Sequence, residues 1–129
     1  MPVTSSSSSI KRWPTPETVL EALRAWSTVQ AERRGDLVAL GYFGSYARGD
    51  AGFGSDLDLV AVVGNSSASF IERARGWPTY ALLVPADLLV YTVDEWQTLR
   101  EGGGRFAQVL SEETVWLVGP PEDPGCPGG

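Results

Sequence analysis

Two aspartates one residue apart, Asp56 and Asp58, open an apolar run that continues to Val63. On a strand, alternate side chains share a face, so both carboxylates project together while Leu57 and Leu59 point the other way. Carboxylates held side by side resist joint ionisation. A hard divalent cation relieves that repulsion, and magnesium favours one or two carboxylates together with substrate phosphates. Upstream, Gly44-Ser45 directly follows another apolar run, Leu37 to Phe43. A glycine there lets backbone N–H groups approach an anion, and Ser45 adds a hydroxyl where a short helix would begin. A phosphate cradle followed by paired carboxylates on the next strand is the layout that nucleotidyl transfer requires. Arg48 has two readings: a charge that ends the short helix, or a planar fork that neutralises a triphosphate. Asp50 reads as a turn residue in the glycine-rich bend.

These residues need elements to hold them. Leu37 to Phe43 reads as a buried strand, broken by Gly44-Ser45, with Tyr46 to Arg48 in a short helical turn. Tyr46 has a packing reading and a base-stacking one, and packing is preferred. Thr15-Pro16-Glu17 reads as a helix start: a capping hydroxyl, proline at the first helical position and an acid in the first turn. Val19, Leu23, Trp26 and Gln30, with Ala22 and Val29, give that helix an apolar stripe up to about Arg34, where Gly35 ends it. Asp56 to Val63 is the second strand. Ser67 to Arg75 reads as a modest helix that serves as a crossover. Asp87-Leu88-Leu89-Val90-Tyr91 is the third strand, with Asp87 at its mouth. Thr92-Val93-Asp94-Glu95 is a capping box that starts a helix to about Arg100. Arg105 to Leu110 adds a short helix, and Thr114 to Val118 a last strand at a sheet edge.

Taken in order, Gly44-Ser45, Arg48-Gly49 and Ser55-Asp56-Leu57-Asp58-Leu59 resemble the signature of the polymerase-beta-type nucleotidyltransferase superfamily. The small size resembles its minimal nucleotidyltransferase (MNT) branch. The resemblance runs from about Pro16 to Gly119. It implies an α/β (α+β) fold, a small mixed β-sheet flanked by helices. It implies that Asp56, Asp58 and a third acid on a later strand are catalytic and hold two magnesium ions. Asp87 is the candidate for that third place. Gly44, Ser45, Arg48 and Ser55 would bind the nucleotide, and ATP is the substrate that the resemblance implies. Minimal members are typically paired with a small helical HEPN protein as toxin–antitoxin systems. The implied activity is therefore transfer of AMP to a tyrosine of a HEPN toxin. Larger relatives carry a helical acceptor-binding domain that this chain lacks, so a second copy or a partner is expected to supply the acceptor surface.

Composition narrows the alternatives. The chain has 129 residues and a formal net charge of −6. One domain is expected, spanning 14–119 between a disordered serine-rich front, 1–13, and a disordered Pro/Gly-rich tail, 120–129. The acidic balance argues against general nucleic-acid binding, which needs clustered Lys and Arg, and against anionic membranes. The only cysteine is Cys126 and there is no histidine. A Ser-His-Asp triad, a Cys-His dyad and a histidine-ligated zinc site are thereby excluded. No apolar run is long enough to cross a membrane and no signal pattern opens the chain, so a cytoplasmic protein is expected. Three rivals stand beside catalysis: a toxin- or nucleotide-binding antitoxin module that performs no chemistry, a small-molecule nucleotidyltransferase of the aminoglycoside-modifying type, and a plain structural α/β protein.

Overall fold

The computed structural model describes residues 13–119. The expectations for the serine-rich front, the Pro/Gly-rich tail and Cys126 fall outside the described residues, Trp13 excepted. In chain order the elements are α1 (Pro16–Arg33), β1 (Leu37–Phe43), α2 (Ser45–Arg48), β2 (Leu57–Val63), α3 (Phe70–Arg73), β3 (Ala86–Thr92), α4 (Val93–Gly102), α5 (Arg105–Glu113) and β4 (Val115–Val118). Two short 3₁₀ turns, Ala74–Gly76 and Thr79–Ala81, lie between α3 and β3.

The strands form one mixed sheet in the order β3-β2-β1-β4. β1 is antiparallel to both β2 and β4, and β2 is parallel to β3. This is the small mixed sheet expected from the sequence, with β4 at an edge. Alternation along β2 divides the apolar residues between two layers. Leu57, Leu59, Ala61 and Val63 join α1 residues Val19, Leu23 and Trp26 in the larger core. Val60 and Val62 join Ala39, Trp96 and Leu110 on the opposite face, beneath α4 and α5. Burying Leu57 and Leu59 fully contributes about 1.5–3 kcal/mol each. That burial fixes which way β2 faces, and so which way Asp58 faces.

Several local expectations change. Val29 does not join the buried face of α1: it is exposed, and Ser27 is buried in its place beside Trp26 and Gln30. The helix expected from Ser67 to Arg75 shrinks to Phe70–Arg73 followed by a 3₁₀ turn. Ser69 caps its first turn by accepting from Glu72 N–H. Ser66 Oγ takes the Ala68 N–H just upstream, an arrangement that competes with helix. α5 extends three residues beyond Leu110, to Glu113. Among the described residues no helix is long and apolar enough to cross a membrane.

Candidate active site

β1 ends at Phe43, and the chain turns through Gly44 with φ +78° and ψ −151°. Only glycine adopts that backbone region readily. Space imposes the same choice, because a Cβ built at Gly44 would collide with Asp58 Oδ2. The turn therefore lies directly against the second aspartate of the pair. Register explains the meeting: Asp58 is the partner of Phe43 across β1–β2 and of Asp87 across β2–β3. Gly44, Asp58 and Asp87 thus follow one another across three neighbouring strand ends. Asp56 stands one residue outside β2, which starts at Leu57, so strand alternation does not orient it as the sequence suggested. It is exposed and still close enough to act on Asp58 electrostatically.

The charges at this corner are unbalanced. The Asp58 pKa is raised above the ordinary carboxylate value, first by burial, then by the negative charges of Asp87 and Asp56. Glu113 adds to the repulsion, and Arg48 opposes it. Three carboxylates offering only oxygen suit a hard divalent cation, and their mutual repulsion is what such a cation would relieve. Among the described residues no three acids already stand together as a metal-ligand set. The fold brings Asp56, Asp58 and Asp87 to repelling distance, and ligand closure would require side-chain adjustment.

The nucleotide-binding candidates surround the turn. Ser45 opens α2, whose C-cap Gly49 is left-handed at φ +84°. Tyr46 is 5% exposed and sits in the larger core, so its packing reading holds. Ser55 Oγ accepts from Gly52 N–H at 2.9 Å, and Ser55 N–H donates to Gly52 O at 3.0 Å. These bonds close a tight turn with Gly54 at φ +83°, which sets Phe53 outward, 82% exposed, edge-on to Trp13. Ser55 thus fastens the bend before the acids, while its hydroxyl proton stays free to donate to a ligand.

Arg48 does end the short helix, and its side chain is also tied at two points. Its Nε donates to Asp50 Oδ2 at 3.3 Å, and its Nη1 to Glu113 Oε2 and Oε1 at 3.3 and 3.4 Å. Both carboxylates make its proton harder to lose. Glu113 Oε1 also accepts from Gly44 N–H at 2.9 Å. The sequence reading missed Glu113 and gave Asp50 a turn role alone. Nothing near Glu113 in the chain marks it. The pairing of Tyr42 with Val115 does: continuing that antiparallel register by two residues brings Glu113 opposite Gly44.

Comparison with known proteins bears on this corner. A family model described as a nucleotidyltransferase domain matches residues 27–117. No curated protein sequence matches the chain. Solved structures that share the fold include two at 20% identity. A protein of Sulfolobus solfataricus, provisionally described as a nucleotidyltransferase, has a TM-score of 0.54 at 20% identity, over 78% of this chain and 80% of the other. A toxin–antitoxin structure with AMP-PNP has a TM-score of 0.55 at 20% identity, over 78% and 76%. The matched span holds Gly44, Ser45, Arg48, Asp56, Asp58, Asp87 and Glu113, and this chain belongs to the nucleotidyltransferase domain family.

Proposed function

We propose that this chain is a magnesium-dependent nucleotidyltransferase that moves AMP from ATP to a hydroxyl acceptor, a tyrosine of a partner HEPN toxin, and so acts as an antitoxin. The observation that carries the catalytic part is the contact of the Gly44 turn with Asp58, with Asp87 in register beside it. Phosphate grip and acids then adjoin, as transfer at the α-phosphorus demands. The antitoxin part is supported by the fold shared with the toxin–antitoxin structure and by the minimal-branch resemblance.

Asp56, Asp58 and Asp87 would hold the metal, which when bound neutralises triphosphate charge and makes the acceptor hydroxyl more acidic. The Gly44-Ser45 turn, through Ser45 because Gly44 N–H is donated to Glu113, and Arg48 hold the β- and γ-phosphates. The acceptor oxygen forms a bond to the α-phosphorus as the bond from that phosphorus to the α–β bridging oxygen breaks. Pyrophosphate leaves, and the hydroxyl proton passes to the Asp87 carboxylate. The sheet order favours that assignment, since Asp87 lies on the far side of Asp58 from the phosphate turn.

One observation favours a non-catalytic antitoxin as the second reading: among the described residues the acids do not form a ready ligand set. Incubation with magnesium and α-labelled ATP separates the two, with and without a co-expressed HEPN partner and beside Asp56→Ala/Asp58→Ala. Label on the partner, dependent on the intact aspartates, is expected. A partner held tightly by both forms and labelled by neither makes binding alone the function.

A further inference from the structure

The residue that ties the phosphate turn together comes from the far end of the described chain. β4 lies close against β1 because Gly41 has no side chain: a Cβ there would meet Val115 O at 2.6 Å. The close pairing carries the end of α5 to the end of β1. Glu113, with a side chain only 21% exposed, then reaches two separate parts of the nucleotide grip. Its Oε1 accepts from Gly44 N–H, and both of its oxygens accept from Arg48 Nη1. Asp50 takes Arg48 Nε from the other side. A guanidinium has five N–H donors in a rigid plane. Holding it at Nε and Nη1 fixes that plane, and among the described residues no protein acceptor takes Nη2.

We propose that Glu113 is a positioning residue for the triphosphate, joining the Gly44 peptide and Arg48 into one braced unit that presents the Nη2 edge of Arg48 to a phosphate. This rests on the nucleotidyltransferase reading above and adds to it a residue in neither the glycine–serine nor the aspartate motif. The geometry separates bracing from a mere surface ion pair. An exposed pair adds little by itself, whereas one carboxylate oxygen shared between the Gly44 N–H and an arginine couples the position of the Gly44 turn to that of the arginine. A preorganised arginine loses less freedom on meeting a phosphate than a free one.

The test measures equilibrium binding of ATP and of inorganic tripolyphosphate, each with magnesium, to the wild type, Glu113→Ala and Glu113→Gln, with the melting temperature of each. Glu113→Ala is expected to weaken both ligands by about tenfold or more, the scale of a lost charged hydrogen bond, at temperatures where it remains folded. The KM for ATP should rise more than kcat falls. Glu113→Gln should recover most of the affinity, because its amide oxygen can replace Oε1, which serves both Gly44 and Arg48. Unchanged affinity in folded Glu113→Ala would reduce Glu113 to a fold contact and overturn the proposal. Tighter binding would overturn it too, making Glu113 a competitor of the phosphates. A wild type that binds neither ligand, or whose binding ignores Asp56→Ala/Asp58→Ala, removes the nucleotidyltransferase reading and this inference with it. Normal wild-type binding with a silent Glu113→Ala removes this inference alone.

Discussion

Two acids placed against β3 have opposite surroundings. Glu95, in the first turn of α4, faces Arg73, which donates from Nη1 and Nη2 to its two oxygens, the second at 3.0 Å. It also accepts from Thr92 N–H at 3.0 Å and completes the expected capping box. Arg73 is spent further on Val90 O, a carbonyl on the outer edge of β3, at 3.1 Å, which covers an otherwise open sheet edge. Both charges of this pair are partnered, and the Arg73 bond, with the Thr92 N–H next, holds the Glu95 pKa down at about 2. At the other end of β3, Asp87 stands beside Asp58. There burial and repulsion from Asp87 and Asp56 push the Asp58 pKa up. Glu95 contributes to the fold, and Asp58 opposes it. Acids perturbed in this way concentrate at functional sites, and the contrast with the paired Glu95 supports the proposed metal site at Asp58.

The strongest way to break this contrast is to remove the unbalanced acids. Asp56→Ala/Asp58→Ala should lower transfer of label from ATP by roughly a thousandfold or more while the protein stays folded by circular dichroism. Gly44→Ala should follow, because it forces a side chain into a left-handed position and into Asp58. A loss of about 1–3 kcal/mol in denaturant unfolding is expected, together with weakened ATP binding. Glu95→Ala tests the satisfied acid. It should cost about 1–2 kcal/mol, chiefly the lost cap, since Glu95 is partly exposed and the ion pair is screened. Magnesium-dependent ATP binding should be unaffected.

The smallest effect sharpens the contrast through pH. A depressed carboxylate adds stability above its unfolded pKa. The Glu95 contribution should therefore be full above about pH 4.3 and lost as pH falls towards about 2. Asp58 has the opposite sign. Its raised pKa means that the protonated form suits the fold, so its stabilisation is present below about pH 3.9 and lost as pH rises through the folded value. Asp58→Asn should raise the melting temperature at neutral pH by a few degrees, and the gain should vanish in acid. A melting curve for Asp58→Asn that matches the wild type at every pH would show that Asp58 is not electrostatically strained.

Local pattern made much of this legible in the sequence. The breaks at Gly44 and Gly49, the capping box at Thr92–Glu95, the apolar runs of β1 and β2 and the start of α1 at Thr15-Pro16 depend on neighbours within a few residues. So does the order of glycine–serine, arginine and paired aspartates, which was enough to indicate the family. Misreadings arose where competition decided. Ser66 and Ser69 bond nearby backbone and leave α3 a single turn. Val29 lies off the face that α1 buries because packing, and not the count of apolar residues, sets that face.

Sequence alone determined which chemistry is available: carboxylates, hydroxyls, arginines and backbone, with no histidine. It also determined that Asp58 and Gly44 sit at the ends of apolar strands. Only the tertiary structure decided their partners. Strand register is set by side-chain packing across the sheet and not by any one strand's residues. The pairing of β2 with β3 puts Asp87 beside Asp58, and the pairing of β1 with β4 delivers Glu113 to Gly44 and Arg48. Both meetings join residues far apart in the chain, and neither has a local signal because neither partner acquires its role until the strands are aligned.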